Sequence, residues 1–204
     1  VIYLDDKKSY TASKVYFISS PNNVVPNLVF GERCKLDCSF FRNESLHYVR
    51  ELALRTIEQC EQVQPVSRKL LIGRKGVLRR YNQDEVLEIL QPFGFELVYM
   101  EDYPFDTQVK LFSEADYVVG PTGAAWVGLL YMQPKSKALC WMASETGEFS
   151  CYSQLAHFSE VELTYISYDT GAESMPDLRF LGYQIDISQL KQWLAEQGFY
   201  NELQ

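Results

Sequence analysis

Leu70-Leu71-Ile72-Gly73-Arg74-Lys75-Gly76, Phe95-Glu96-Leu97-Val98-Tyr99-Met100 and Tyr117-Val118-Val119-Gly120-Pro121-Thr122-Gly123 decide the reading of the fold. Each begins as a short apolar run and leads into a loop. Between them, residues 83–90 and 107–114 carry apolar side chains at helical spacing. The rhythm continues with a helix over 124–132 that is apolar nearly all round, a strand over 138–141, a helix over 152–158 and a strand over 163–166. Short buried strands alternating with short helices predict an α/β fold. Its core is a Rossmann-like parallel sheet with right-handed crossovers and helices on both faces.

Working outward, a last helix is expected with Ser188 as its N-cap and Leu190, Trp193 and Leu194 on its buried side. On the other flank, a helical period runs from Asn43 to about Gln62, with Leu46, Val49, Leu52, Ala53, Ile57 and Cys60 on one side. Pro65 ends it. Residues 1–45 read as irregular, with strand candidates at 15–18 and 24–25 broken by Pro21 and Pro26. The expected organisation is therefore a segment 1–45, read as the end of an N-terminal half, followed by a nucleotide-binding domain over 46–204.

Composition narrows the function classes. With 204 residues, 47% hydrophobic and 23% charged, the chain can bury a full core and is not a disordered segment. No apolar run reaches the roughly 18–20 residues of a membrane span, and the first residues given do not show the basic-then-apolar pattern expected of a signal peptide. A net charge of −8 argues against nucleic-acid or anionic-membrane partners. The five cysteines (Cys34, Cys38, Cys60, Cys140 and Cys151) and two histidines (His47 and His157) show no zinc spacing. They predict reduced, mostly buried thiols in a cytoplasmic protein, with no zinc site.

Open parallel sheets bind ligands beyond the carboxyl ends of their strands. Six of the 19 cations fall within residues 68–80: Arg68, Lys69, Arg74, Lys75, Arg79 and Arg80. Arginine forks bind phosphate oxygens in pairs, so this loop is a candidate anion site, with Arg74 nearest the strand end. Asn82 and Glu85 fit a capping box, and both are also candidates for donor contacts. Gly120-Pro121-Thr122-Gly123-Ala124 opens a helix with small residues, leaving its first amides free for an anion or simply easing helix–sheet packing. Glu101 and Asp102 follow the second strand and are candidate general bases or partners of sugar hydroxyls. Asp106 suits a helix cap, and Phe105 and Gln108 can touch a base or sugar.

Taken in order, several pieces resemble glycosyltransferase family 61. They are Arg74, the Arg79-Arg80 pair near Asn82 and Glu85, Gly94-Phe95-Glu96-Leu97-Val98, Pro104-Phe105 with Gln108, Leu111-Phe112-Ser113 with Ala115-Asp116, and Val119-Gly120-Pro121 with Gly123-Ala124. The resemblance implies a GT-B-type architecture whose C-terminal half binds a nucleotide sugar, without metal or resident cofactor and with inversion. It implies that Arg74 holds the donor diphosphate and that the Gly123-Ala124 helix start cradles it; Lys75, Arg79, Arg80 and Thr122, read from the loops themselves, are expected beside them. Asn82, Glu85, Phe105 and Gln108 would then lie toward the nucleoside or sugar. This sequence departs from the pattern at Thr122, Gly128, Lys135 and Cys140, where members commonly carry His, Asn, Gly and an acid. The expected partners are a nucleotide-sugar donor and a glycan or glycoconjugate acceptor, in polysaccharide assembly. The alternative is a nucleotide-sugar-binding module without turnover.

Overall fold

The computed structural model describes residues 41–57, 67–76, 78–146, 151–172 and 177–201. The strand candidates at 15–18 and 24–25, Cys34, Cys38, Cys60 and the helical period beyond Ile57 lie outside the described residues. The elements are α1 (Asn43–Ile57), β1 (Lys69–Ile72), α2 (Gln83–Leu90), β2 (Glu96–Val98), α3 (Phe105–Glu114), β3 (Tyr117–Pro121), a 3-10 helix (Ala124–Tyr131), β4 (Lys137–Ala143), α4 (Cys151–Ser159), β5 (Glu162–Tyr168) and α5 (Ile187–Glu196). The expected α/β alternation is present.

The five strands form one parallel sheet in the order β2-β1-β3-β4-β5. Because successive strand residues face opposite sides, Leu70, Ile72, Val118, Ala138, Cys140 and Met142 enter one core, with α1, α3, the 3-10 helix and α4 above them. Leu71, Val119, Leu139, Trp141, Ala143 and Ile166 enter the other, beneath Val86 and Leu90 of α2 and Leu190, Trp193 and Leu194 of α5. Helices therefore cover both faces, which is why these strands read as continuous apolar runs. Cys140 is fully buried and Cys151 half-buried; both are free thiols, and burial pushes both up from a thiol's ordinary value. Among the described residues no helix is long and apolar enough to cross a membrane.

Three local expectations change. The segment over 124–131 is a 3-10 helix rather than an α-helix. The cap of α5 is Asp186, whose carboxylate accepts from the Ser188 amide at 2.8 Å and the Ser188 hydroxyl at 2.6 Å. An ionised acceptor at a helix start outcompetes the neutral hydroxyl. Helix α3 begins at Phe105 with Pro104 in the cap position, while Asp106 holds the Thr107 amide at 2.7 Å from inside the first turn.

The chain leaves β1 for β2 on one side and passes back to β3 on the other, so the topological switch point lies between β1 and β3. The two strands approach closely there. A Cβ on Gly120 would stand 2.8 Å from Ile72 Cβ and 2.9 Å from the Ile72 carbonyl oxygen. Gly120→Ala should therefore force the carboxyl ends of β1 and β3 apart and cost about 1–3 kcal/mol. A melting curve should show the midpoint lowered by about 2–12 °C.

Candidate functional site

At the switch point the loops after β1, β2 and β3 enclose an open cavity of about 410 Å³. Its walls include Gly73, Arg74 and Lys75 after β1, Met100 and Glu101 after β2, Gln108 of α3, and Thr122 through Ala125 after β3. Gly73 is needed because a Cβ there would meet Leu97 and Tyr99 at 2.6 and 2.7 Å.

Arg74 bridges the switch point. Its backbone amide donates to Gln83 Oε1 at 2.8 Å, and Gln83 Nε2 donates to the Tyr99 hydroxyl at 3.1 Å, so the loop is fixed from α2 and β2. Its guanidinium crosses to donate from Nη2 to the Thr122 carbonyl oxygen. Nε is buried with no hydrogen-bond partner, and no carboxylate pairs with the group among the described residues.

Arg79 follows the same pattern. It has a left-handed backbone (φ 51°), uncommon for a side-chain-bearing residue, and sits half-buried near Arg74, Tyr168, Tyr183 and Tyr152. Burial, and after it the charge of Arg74, holds its guanidinium below an arginine's ordinary value. It makes no hydrogen bond or ion pair with another described residue. Two neighbouring, partly desolvated cations with no acid paired to them among the described residues form an environment suited to an anion.

Opposite Arg74, Gly123 is held in an extended conformation by one phenol. Its amide donates to the Tyr152 hydroxyl at 3.2 Å, and that hydroxyl donates to the Gly123 carbonyl at 3.0 Å. The first bond of the 3-10 helix runs from the Trp126 amide to the Gly123 carbonyl, so the Ala124 and Ala125 amides have no acceptor within the helix. A Cβ on Gly123 would lie 3.7 Å from Arg74 Nη2. Guanidinium and free amides thus face one space from two loops.

The family model described as Glycosyltransferase 61 matches residues 10–139. The chain belongs to glycosyltransferase family 61. No curated protein matches it significantly. In this family 61 chain the matched span includes Arg74, Arg79 and Thr122 through Ala124, whereas Tyr152, Tyr168 and Tyr183 lie beyond it.

The other candidate residues divide. Lys75 and Asp102 form an ion pair with each other, with the ammonium 4.9 Å from the centre of the Tyr99 ring. Arg80 turns away, its Nε donating to the Gly76 carbonyl at 3.1 Å. Asn82 stands at the N-cap of α2, but its side chain caps nothing. Its Nδ2 donates to Glu85 at 2.7 Å and to the Ile185 carbonyl at 3.1 Å, while Oδ1 accepts from the Ile185 amide at 2.8 Å. The capping box is replaced by a clamp 103 residues away in sequence, which locks the segment before α5 onto α2. Gln108 lines the cavity, but its amide is committed to the Met100 and Tyr103 carbonyls, both at 2.9 Å. Phe105 lies outside the cavity, its ring edge-on to Tyr131 at 6.2 Å. Glu101 lines the cavity and is exposed.

The sequence reading missed an aromatic wall beside Arg79. Tyr168 and Tyr183 stack at 3.7 Å, and Tyr81 lies 5.7 Å from both Tyr183 and Trp141. Burial pushes the phenols of Tyr81, Tyr168 and Tyr183 up, so they remain neutral donors, and the Tyr81 hydroxyl and Trp141 Nε1 are buried without partners. No sequence spacing announces this wall, since Tyr81, Trp141, Tyr168 and Tyr183 come from four separate segments.

Asn82→Ala would strand the Ile185 amide and carbonyl and should cost about 1–3 kcal/mol of stability. If Asn82 is a clamp, denaturant unfolding will show that loss while ligand affinity of the folded fraction stays unchanged. A second prediction concerns Glu145, which accepts from the Thr170 hydroxyl, the Thr170 amide and the Ala172 amide and so ties down the loop after β5. Partial burial opposes its ionisation, yet these bonds hold its carboxyl at about 2. A depressed carboxyl stabilises fully above its unfolded value near 4.5 and loses that contribution as pH falls toward about 2. Hydrogen-exchange protection of the Thr170 and Ala172 amides should therefore drop between pH 4.5 and 2, and should be low at neutral pH in Glu145→Ala.

Proposed function

We propose that this chain carries the donor site of a glycosyltransferase that moves a sugar from a nucleotide sugar to a hydroxyl acceptor. The acceptor is a glycan or glycoconjugate, and the setting is cytoplasmic polysaccharide assembly. The observation that carries the reading is a pair of half-buried guanidiniums with no carboxylate partner among the described residues, Arg74 at the switch point across from the amides of Ala124 and Ala125 and Arg79 beside Arg74 toward Tyr168 and Tyr183. That arrangement suits a diphosphate. As in a GT-B enzyme, the acceptor would approach from a second half, with residues 1–45 leading into the donor domain.

In the reaction the acceptor oxygen attacks the anomeric carbon on the face away from the donor diphosphate. The bond from that carbon to the diphosphate oxygen breaks, the configuration inverts, and the acceptor proton leaves to a base. Negative charge grows on the departing diphosphate, where Arg74, Arg79 and the Ala124 and Ala125 amides are already oriented. Fixed guanidinium charge takes the part that a divalent ion plays in enzymes with an Asp-x-Asp motif, which this sequence lacks.

Calorimetric titration with UDP, GDP, CDP, ADP and dTDP tests the reading. One nucleoside diphosphate should bind, and Arg74→Ala and Arg79→Ala should each weaken it by about 10–100-fold, the worth of a charged hydrogen bond. Arg80→Ala should change little. Transfer from the matching nucleotide sugar should persist in EDTA. Binding without hydrolysis or transfer would instead identify a donor-binding module, and no binding by any diphosphate would end the donor reading.

A further inference from the structure

The turn that joins β3 to the 3-10 helix is held by side chains from three separate segments. Its three successive carbonyls each accept from a different one. Trp126 Nε1 donates to the Pro121 oxygen at 2.6 Å, Arg74 Nη2 to the Thr122 oxygen, and the Tyr152 hydroxyl to the Gly123 oxygen at 3.0 Å. The amides are met as well. That of Thr122 donates to the Trp141 carbonyl and that of Gly123 to the Tyr152 hydroxyl, both at 3.2 Å. The next two amides, of Ala124 and Ala125, are the first in the segment without an acceptor in the helix. The backbone is thus engaged up to Gly123, and the open donors begin one residue later.

Of the three holding residues, Trp126 belongs to the helix it steadies and Arg74 to the proposed diphosphate site itself. Tyr152 is different. It is the second residue of α4, 29 positions from Gly123, and is 8% exposed, with its ring tilted 6.0 Å from that of Trp126. It does not line the cavity, so it can act on a ligand there only through the turn. A hydroxyl donates and accepts through one atom, so this single group meets both the amide and the carbonyl of Gly123. Burial pushes the phenol up, which retains the proton that the carbonyl receives. Those two bonds fix the peptides on either side of a glycine, the residue whose backbone is least hindered, and Ala124 follows directly. Dipoles already fixed in place stabilise an anion more than dipoles that must first turn toward it.

We propose that Tyr152 is a positioning residue of the donor site: through Gly123 it sets the Ala124 and Ala125 amides beside Arg74 before any ligand arrives. The assignment rests on the donor reading above and adds to it a support from α4, outside the cavity wall.

The test compares wild type, Tyr152→Phe and Ser159→Ala by calorimetric titration with pyrophosphate, UDP, GDP, CDP, ADP and dTDP. Tyr152→Phe keeps the ring and removes both bonds. Ser159 lies at the other end of α4, where its buried hydroxyl donates to the Leu130 carbonyl at 3.2 Å, so its loss reports destabilisation alone. Melting curves give the folded fraction of each. For a diphosphate that binds wild type, Tyr152→Phe should weaken affinity by about tenfold or more, while Ser159→Ala leaves the affinity of the folded fraction unchanged. Residue-resolved hydrogen exchange adds a readout in wild type that needs no variant. The Gly123 amide should be equally protected with and without the diphosphate, whereas Ala124 and Ala125 should gain protection only with it. Unchanged affinity in Tyr152→Phe, an equal loss in Ser159→Ala, or Gly123 protection that arises only with the diphosphate would overturn the assignment and leave the donor site standing. Failure of every diphosphate to bind wild type would remove both readings.

Discussion

Everything at the carboxyl edge of this sheet depends on one charge that no carboxylate among the described residues neutralises, the guanidinium of Arg74 held between β1 and β3. A cation in a partly desolvated place ordinarily acquires an acid. Here it receives one carbonyl, from Thr122, and keeps Nε unsatisfied. Holding it there takes neighbours that have no catalytic chemistry of their own. Gln83 and Tyr99 fix its backbone, Gly73 and Gly120 let the strands close up beneath it, and Tyr152 fixes the opposing glycine through both of its backbone groups.

The two ends of the sheet treat charge in opposite ways. At the amino end, Arg68 grips Asp116 with two hydrogen bonds of 2.7 and 2.6 Å, and the Asp116 and Tyr117 amides return to the Arg68 carbonyl. Hydrogen bonding to Arg68 holds the Asp116 carboxyl below its ordinary value. That end is complete, and it joins β1 to β3 from below. The Asp116 that closes the Leu111-Phe112-Ser113 stretch of the family pattern therefore has a structural explanation. At the carboxyl end the same two strands deliver Arg74 and the Thr122-Gly123 turn, and there the charges remain open.

The fold was legible because strands buried on both faces give unbroken apolar runs and amphipathic helices give their own period. Arg74 and the Gly123-Ala124 helix start were legible because strand ends are where such sheets bind. What sequence could not do was sort neighbours. Arg79 and Arg80 look alike, yet Arg79 is half-buried beside Arg74 while Arg80 bonds its own loop. Lys75 and Asp102, read separately as phosphate ligand and base, cancel each other across 27 residues. Asn82 satisfies a local capping rule but is claimed by Ile185, and the tyrosine wall is built from residues up to 102 positions apart, from Tyr81 to Tyr183. In each case a long-range partner offers a better bond than the local one.

The net charge of −8 sharpens the argument for a local site. An acidic surface opposes the approach of a dianion, but in physiological salt that opposition is screened beyond about 8 Å. Half-buried guanidiniums are screened far less at contact, so Arg74 and Arg79 can prevail over a field set by distant carboxylates. The same reasoning sets Lys75 apart from Arg74 and Arg79 in the proposed site. Exposed and paired with Asp102, it contributes almost no net charge to the cavity. In the proposed donor site two half-buried arginines and two amides without a helix acceptor are the groups assigned to the diphosphate, while Arg68, Lys69, Lys75 and Arg80 are engaged with other groups of the fold.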